Sequence, residues 1–405
     1  MTPRLMAFLH LPPETRPLLI ARALRAFVDG FICILLPAYL LALGLGAFEV
    51  GVLSATTLLG SATFTLLLGA HGHRFHHRSL LLGAALLMAA TGMLFAGLSS
   101  FWPLLLVAFI GTLNPSSGDV SIFLPLEHAR LAEAAEGNAR THLFARYTLA
   151  GALFAALGSL AAGLPDLLVG QGWAKTESLR VMFLLYALAG GVVWLLYRRL
   201  PEPLPHERPV PPAPLQASRG TVIRLAALFS IDAFAGGLVL NSLLALWLFE
   251  RFDLSLAAAG LFFFWAGLLS AFSQLAAPVV AKRIGLINTM VFTHIPSSVF
   301  LILAALADSL PWALGLLLAR AALSQMDVPT RSAFVMVVVT PPERAAAASF
   351  TAVPRSLAAA VSPSLGGALF AAGWLAAPLI ACGVLKIAYD LAIWRAFRDV
   401  DSPGA

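Results

Sequence analysis

The amino-acid sequence predicts an all-α integral membrane protein made of two six-helix halves. Of the 405 residues, 60% are apolar and only 11% are charged, whereas soluble proteins carry about 25% charged residues. Apolar stretches recur along the whole chain, each of roughly the 20 residues that cross a bilayer as a helix. One long polar break divides these stretches into two equal sets.

Each apolar stretch is interpreted as a transmembrane helix. The stretches are rich in Leu, Ala, Gly and Phe and show no strand-like alternation. A helix also satisfies its own backbone hydrogen bonds in lipid. The twelve predicted spans are 18–44, 48–70, 79–99, 101–126, 142–164, 178–199, 221–249, 254–281, 286–306, 309–336, 345–372 and 374–396.

The polar break between the sixth and seventh spans runs from Arg198 to Gly220 and reads RRLPEPLPHERPVPPAPLQASRG. Its proline content is typical of a semi-extended linker. We therefore expect a six-helix bundle over residues 1–199, a cytoplasmic linker over 200–220 and a second six-helix bundle over 221–405.

Polar residues recur at matching places in the two halves. Most matches appear when the first half is shifted by about 208 residues. A slightly smaller shift superimposes Asp29 on Asp232. The pairs at the main shift are Gly51 with Gly260, Arg74 with Arg283, Arg146 with Arg355, and Asp119 with Asp327. Because intramembrane charges are rare and costly, these matches indicate a duplicated six-helix unit.

The net charge of +6 reflects membrane topology and not binding to nucleic acid. Most loop arginines and lysines lie on the side of the N-terminus, whereas the opposite loops hold only Lys175, Arg180 and Arg251. This positive-inside bias predicts that both termini are cytoplasmic. We expect a multi-pass protein of the bacterial inner (plasma) membrane that contacts the lipid bilayer and no nucleic acid.

The loop between the second and third spans carries a motif, GAHGHRFHHRS at residues 69–79. It resembles the cytoplasmic loop signature of the major facilitator superfamily, Gly-x-x-x-Asp-Arg-x-Gly-Arg-Arg. The residues that match are Gly69, Arg74 and Arg78, and His73 stands where the family has aspartate. The second half keeps a fainter copy, PVVAKRIG, which matches at Arg283 and Gly285.

The resemblance covers the whole chain and implies a twelve-helix fold that transports a small-molecule substrate. In the family, two bundles rock around a central site, and the loop acts as a cytoplasmic latch. Stretches such as NPSSGDVSIFLPLEHA look like a branch of prokaryotic permeases of unassigned substrate. The resemblance also leads us to expect a monomer without a cofactor.

The four histidines of the loop allow three interpretations. Three imidazoles can ligate Zn²⁺, but the stretch holds no cysteine or acid to complete a site. A solvated latch is the interpretation we favour, and a pH-sensing loop is the third, since imidazole titrates near neutrality. We therefore predict no metal site.

Two acids near the membrane midplane are the predicted proton-coupling residues. Asp29 lies one turn from Arg25, so the two side chains can pair along the first helix. Asp232 has no cation on the adjacent turns of its own helix. Because burial disfavours the charged form of an unpaired carboxylate, we expect Asp232 to exchange the proton.

Other polar residues within the spans are predicted to form gates or line a cavity. The repeated pairs Asp119–Arg146 and Asp327–Arg355 are interpreted as gating bridges, with Arg331 as a competitor for Asp327. The residues expected to line the substrate cavity are Arg25, Asn114, Asn241, His294, Arg320 and Gln325.

These patterns favour a secondary transporter over an enzyme. The sequence has no phosphate-binding loop of the Gly-x-x-x-x-Gly-Lys-Ser/Thr kind, so ATP does not drive transport directly. Proton-coupled export of a small organic or amphipathic compound is the first hypothesis. Uptake or exchange of a small organic anion is the second, because arginine suits carboxylate and phosphate groups. A transport-inactive receptor or scaffold of the same fold is the remote alternative.

Overall fold

The computed structural model describes residues 15–71, 75–116, 122–134, 137–201 and 215–398. Within these ranges the regular elements are helices, and no strand occurs. The α-helices of the described ranges are α1 (Arg16–Ala42), α2 (Ala47–His71), α3 (His77–Gly97), α4 (Phe101–Ile110), α5 (Phe123–Ala134), α6 (Gly137–Leu160), α7 (Leu164–Gly170), α8 (Lys175–Arg198), α9 (Arg219–Gly237), α10 (Asn241–Phe252), α11 (Leu256–Ile284), α12 (Leu286–Ala305), α13 (Leu310–Leu323), α14 (Asp327–Val338), α15 (Arg344–Ala371) and α16 (Ala377–Phe397).

All twelve predicted spans have a helical counterpart, which confirms the all-α membrane fold class. Among the described residues, eight segments are long and apolar enough to cross a membrane. They correspond to the second, third, fifth to ninth and twelfth predicted spans. The other four comprise two broken helices and the two arginine-bearing helices α1 and α15.

The fourth, seventh and tenth spans are each interrupted, the seventh at residues 238–240 between α9 and α10, so the prediction of continuous helices was wrong there. Gly111 adopts an extended conformation after α4, and its N–H donates to the oxygen of Val107 at 2.7 Å. The following Asn114 precedes a proline, which disfavours helical geometry. In the second half, a turn at 324–326 separates α13 from α14, which begins at Asp327.

Clustering of contacts divides the chain into two compact units. The first consists of Met1–Leu45, Thr56–Glu207 and Ser255–Phe264, and the second of Gly46–Ala55, Arg208–Leu254 and Trp265–Ala405. The units depart from the predicted halves in the two short stretches Gly46–Ala55 and Ser255–Phe264. Most of the predicted linker, residues 202–214, lies outside the described residues.

Glycines bring α1 and α6 of the first unit into close contact. A Cβ atom at Gly158 would lie 1.8 Å from the backbone oxygen of Phe27. A Cβ atom at Gly30 would lie 2.1 Å from the oxygen of Ala155. Only glycine fits this crossing, in agreement with the small-residue packing typical of membrane helices.

In the second unit, Glu343 caps the start of α9 from the turn that precedes α15. Its carboxylate accepts hydrogen bonds from the backbone N–H groups of Ser218 at 2.9 Å and of Gln216 and Ala217 at 3.0 Å each. These hydrogen bonds, led by the one from Ser218, lower the pKa of Glu343 from its ordinary 4.5 to about 2. The contact fixes the entry into α9, on which Asp232 lies.

Candidate functional site

The second unit contains a buried carboxylate that two cations share. Asp232 lies on α9 and is buried. One of its oxygens accepts a hydrogen bond from the Lys386 ammonium at 2.6 Å. The other accepts a hydrogen bond from the Arg331 guanidinium at 3.0 Å. Three helices, α9, α14 and α16, therefore meet at one anion.

The prediction that Asp232 lacks a neighbouring cation was wrong. That expectation rested only on the adjacent turns of α9. Lys386 and Arg331 lie on other helices, 154 and 99 residues after Asp232 in the sequence. Two cations at hydrogen-bond distance favour the ionised form of the carboxylate. The reason given for proton exchange at Asp232 is thereby removed, and its role in coupling stays a prediction.

Arg331 also forms a salt bridge with a second acidic residue, Asp327. Its guanidinium donates to Asp327 at 3.0 Å, one turn earlier on α14. The break before α14 makes Asp327 the first residue of that helix, where a negative charge interacts favourably with the helix dipole. Arg331 thus bridges Asp232 and Asp327, and all three side chains are buried.

The chain of contacts continues from Lys386 to a histidine and a further aspartate. The Lys386 nitrogen lies 3.3 Å from Nε2 of His294 on α12. Nδ1 of the same ring lies 3.0 Å from both carboxylate oxygens of Asp390. His294 and Asp390 are buried, and the ring of Tyr389 packs edge-on against the imidazole with centroids 6.3 Å apart. A continuous series therefore runs Asp327–Arg331–Asp232–Lys386–His294–Asp390, which we call the charge chain.

The predicted Asp327–Arg355 bridge was wrong, because Arg331 occupies Asp327. Arg355 lies on α15 with an exposed side chain and makes no salt bridge among the described residues. Its electrostatic neighbours are Arg331, Asp232 and Asp327. The i, i+4 spacing brings Arg331 to Asp327 within one helix, whereas Arg355 must reach it from another.

The first unit has its own buried ion pair, between Arg25 on α1 and Glu127 on α5. Glu127 is fully buried and also accepts hydrogen bonds from the hydroxyl of Tyr197, at 2.6 Å, and from that of Tyr147. The Arg25 guanidinium lies over the Phe123 ring, 4.1 Å from its centroid. These contacts satisfy a carboxylate that would be costly to bury alone.

The expected ion pair between Arg25 and Asp29 is not the one the structure shows. Arg25 bonds to Glu127, and the half-buried Asp29 is a further electrostatic neighbour of its guanidinium. Glu127 lies just past the predicted end of the fourth span, at residue 126, and was not considered. Arg25 consequently serves within the bundle and is nearly inaccessible to a solute.

The two units each join their first and fourth helices by a buried ion pair, with the charges reversed. In the first unit, the first helix supplies the cation Arg25 and the fourth supplies the anion Glu127. In the second unit, the first helix supplies the anion Asp232 and the fourth supplies the cation Arg331. The duplication thus extends to an ion pair between the first and fourth helices of each unit.

The remaining cavity candidates have different environments. Asn114 is buried, and its side-chain oxygen accepts from the N–H and hydroxyl of Ser116 at 3.1 and 2.7 Å, which stabilises the turn after α4. Gln325 lies in the turn before α14, 3.4 Å from the amide of Gln274. Arg320 is half-buried near Cys382 and makes no ion pair among the described residues. Asn241 begins α10 and is half-buried.

The burial of Asn114 and His294 corrects the expectation that both line a cavity. Each side chain is at most 3% exposed; Oδ1 of Asn114 accepts hydrogen bonds from Ser116, and the imidazole of His294 contacts Asp390 and Lys386. A buried amide or imidazole is costly unless it is hydrogen-bonded, and here each has its partners. Gln325, Asn241 and Arg320 retain accessible surface and stay predictions for the cavity.

The loop signature is only partly described, because His73 and Arg74 lie outside the described residues, as does the gating candidate Asp119. Arg78 donates to the backbone oxygen of Arg198 at 2.7 Å, at the C-terminus of α8. That contact matches the expected attraction between an arginine and a helix C-terminus. Arg146 lies on α6 with a half-buried side chain, and its pairing with Asp119 stays a prediction.

The second copy of the signature ends α11. Arg283 is exposed in the last turn of that helix, and Gly285 has a φ of +87°. This left-handed conformation strains any residue with a side chain, so glycine is required there. Among the described residues no group of three histidines, cysteines or acids is placed to hold a metal ion.

Duplicated helical units with breaks in corresponding helices and buried intramembrane charges define a secondary transporter. Residues 18–325 match the family model of the Major Facilitator Superfamily. The chain belongs to the Major Facilitator Superfamily and is a membrane-embedded transporter that works by alternating access, and not an enzyme.

The chain is also similar to individual proteins. It is 26% identical to "Uncharacterized membrane protein YJR124C" of Saccharomyces cerevisiae over 94% of this chain and 93% of that protein. Among solved structures, the nucleoside transporter NupG aligns with a TM-score of 0.70 at 16% identity over 96% of this chain and all of that one. A bacterial homolog of the human lysosomal transporter Spinster, in an inward-facing and occupied conformation, aligns with a TM-score of 0.75 at 17% identity over 98% of this chain and all of that one.

Proposed function

We propose that this chain is a proton-coupled exporter of a small organic or amphipathic compound. The observation that carries the proposal is the charge chain, a buried series of acids, bases and one histidine inside a membrane bundle. Ionisable residues at membrane depth mark ion and proton pathways in transporters. Alternate occupancy by proton and solute gives antiport, in which an inward proton gradient drives the solute out.

Two features favour a role of the charge chain in coupling proton and solute movement over a purely structural role. It includes an imidazole, a group that can both accept and donate a proton. It also reaches the broken tenth helix through Arg331 and Asp327, and discontinuous helices commonly form the substrate and ion sites of such transporters. Proton binding at one end can thereby alter the helix break at the other.

Uptake or exchange of a small organic anion is the second candidate. Arg355 supports it, because its exposed guanidinium makes no salt bridge among the described residues. Arg320 is a second cation that makes no ion pair among the described residues. A carboxylate or phosphate of the solute would match such groups in charge and geometry. One solved relative in fold is described as the human organic anion transporter MFSD10.

Gating, placement and assembly complete the proposal. Within the second unit we propose that the Asp327–Arg331 pair takes the gating role first assigned to Asp327 and Arg355. In the first unit, Arg146 with Asp119 keeps that proposed role. We further propose a monomer in the bacterial plasma membrane with both termini cytoplasmic, as the charge bias of the loops indicates.

A screen with purified protein in liposomes tests the proposal. Nucleosides, pentoses, short peptides, organic anions and amphipathic cations are loaded inside, and an inward proton gradient is imposed. We expect one class to leave the vesicles faster with protein than without, and collapse of the gradient by a protonophore to abolish the difference. Arg355→Gln distinguishes the two candidates, because it should weaken transport of an anion much more than transport of a neutral or cationic compound.

Absence of movement for every class, with protein that still binds one of them, would instead favour the receptor or scaffold. Movement that persists unchanged after the gradient collapses would contradict proton coupling and leave transport itself in place.

A further inference from the structure

We propose that the coupled proton binds at Nε2 of His294, between Asp390 and Lys386. This inference rests on the proposed proton-coupled transport and assigns its proton site to the ninth and twelfth helices. Asp232 was first expected to exchange the proton. Here it stays ionised and accepts the hydrogen bond of Lys386, the cation that responds when His294 is protonated.

The partners of the imidazole fix the hydrogen-bond role of each ring nitrogen. A lysine ammonium can only donate, so the 3.3 Å contact with Lys386 makes Nε2 of His294 the acceptor. Nδ1 must then carry the hydrogen, which it donates to the Asp390 carboxylate at 3.0 Å. The geometry therefore specifies a neutral imidazole with its hydrogen on Nδ1. Nε2 can accept a proton, which replaces the hydrogen bond that it accepts from Lys386.

Charge counting gives the direction of the response. With neutral His294, the chain holds three carboxylates and two cations, a net charge of −1 in a buried site. An uncompensated buried charge is costly, so an added proton that brings the sum to zero is favourable. The Asp390 carboxylate adjoins the ring and stabilises the imidazolium directly.

Every helix that packs on α12 contributes to this balance. Lys386, on α16, opposes protonation through its positive charge, and Asp390 on the same helix supports it. The charged or titratable groups of the surroundings are Asp390, Tyr389, Lys386 and Cys382 on α16, Arg320 on α13, Asp327 and Arg331 on α14, and Asp232 on α9. Arg320 makes no ion pair with these acids in the described part of the chain, and the side chain of Arg355, on α15, is exposed and forms no salt bridge there.

Protonation changes the partner of Lys386. A proton added from the aqueous side at Nε2 turns that atom into a donor, so the bond from Lys386 is lost and two positive groups face each other. The ammonium is then held by Asp232 alone, at the oxygen it already contacts at 2.6 Å. A tighter Lys386–Asp232 pair draws that carboxylate away from Arg331 and strengthens the Arg331–Asp327 bond at the helix break.

Nuclear magnetic resonance of ¹⁵N-histidine-labelled protein in nanodiscs tests the proton site without any solute. The His294 signals are identified by their absence in His294→Gln, and His142→Gln on exposed α6 surface is the matched control. At alkaline pH we expect hydrogen on Nδ1 alone, and on acidification between about pH 9 and 5 we expect a step to the doubly protonated ring.

Two further variants separate this proton site from a structural histidine, because they should act in opposite directions. At a fixed pH, Asp390→Asn should lower the protonated fraction of His294, since it removes the adjacent anion. Lys386→Met should raise it, since it removes the competing cation. The one signal that responds to both variants identifies His294 even if His294→Gln does not fold.

A ring that keeps one tautomer over the whole range, or that responds equally to both variants, would overturn the proposal. Because the titration needs no solute, its outcome is separate from that of the transport screen. A titrating His294 in a protein that moves no solute would contradict the proposed function alone. Proton-driven transport with a silent His294 would contradict this inference alone.

Discussion

Lys386 and Asp232 are 154 residues apart in the sequence, yet the lysine ammonium lies 2.6 Å from the aspartate carboxylate inside the second unit. This contact joins the twelfth helix to the seventh and forms the centre of the charge chain. Desolvating two charges is costly, and their attraction offsets this cost only when geometry is good and other hydrogen bonds are satisfied. Arg331 donates the further hydrogen bond that satisfies the second oxygen of Asp232.

Removal of the shared anion should destabilise the second unit. Asp232→Asn leaves Lys386 and Arg331 without their common counter-charge, and we expect the free energy of unfolding to fall by about 3–5 kcal/mol. Chemical unfolding in detergent measures the change. Asp308→Asn, at an exposed aspartate between helices, is the matched control and should stay within about 0.5 kcal/mol of the unaltered protein. Equal stabilities of Asp232→Asn and Asp308→Asn would contradict the buried pair.

Lys386 and Asp232 should also be energetically coupled. The loss in the double variant Asp232→Asn with Lys386→Met should be smaller than the sum of the two single losses, because each single change strands a charge. We expect an interaction energy of about 0.5–3 kcal/mol, obtained from a double-mutant cycle. Strict additivity would show that the two groups act independently.

The buried carboxylate of the first unit makes a separate prediction. Tyr197→Phe removes one hydrogen bond to the Glu127 carboxylate, which lies 2.6 Å from the hydroxyl, and should lower the free energy of unfolding by about 1.5–3 kcal/mol. Glu127→Gln should cost more, because it also leaves Arg25 without its anion. Glu177→Gln, at an exposed glutamate, is the control. A harmless Glu127→Gln would contradict the account of this site.

The Glu343 cap predicts a pH dependence. The folded protein lowers the pKa of Glu343 from 4.5 to about 2, so its stabilising contribution is fully present above pH 4.5 and is lost as the pH falls towards 2. In Glu343→Gln, stability should therefore decline less steeply between about pH 5 and 3. Unfolding measured across this range, with Glu177→Gln as control, checks the difference in slope. Parallel curves for Glu343→Gln and the unaltered protein would contradict the cap.

Helix packing in the first unit gives a prediction with an internal contrast. Gly158→Ala forces a methyl group against the Phe27 backbone and should lower the free energy of unfolding by about 1–3 kcal/mol. Gly315→Ala, on α13, meets no atom within 4 Å and should be neutral or stabilising by up to about 1 kcal/mol. Thermal unfolding of both variants decides. A tolerated Gly158→Ala would contradict the close approach of α1 and α6.

The fold was predictable because membrane helices follow from apolar length alone. All twelve spans appeared in the right order, since no other structure satisfies the backbone of a single apolar segment in lipid. The breaks were missed, although Gly111 and the Asn114–Pro115 pair in the fourth span signal one. A hydropathy pattern carries no information about whether a helix is continuous across its span.

The candidate site was only half predictable, because its partners lie far apart in sequence. Asp232, Arg331 and His294 could be singled out from the sequence as polar residues within apolar spans, yet their pairing depends on tertiary packing. Lys386 and Asp390 were overlooked, although two charges four residues apart within the last apolar span are a rare and costly feature. That feature, read in the sequence, would have found them.

Proton movement during solute transport is the direct readout of coupling through the charge chain. Liposomes that enclose a pH-sensitive dye carry the unaltered protein or Asp390→Asn, and a gradient of the solute identified by the screen is imposed without an initial pH gradient. We expect a solute-dependent change of internal pH with the unaltered protein. We expect Asp390→Asn to exchange labelled solute across the membrane but to move few or no protons. Equal proton movement by the two proteins would contradict coupling through the charge chain.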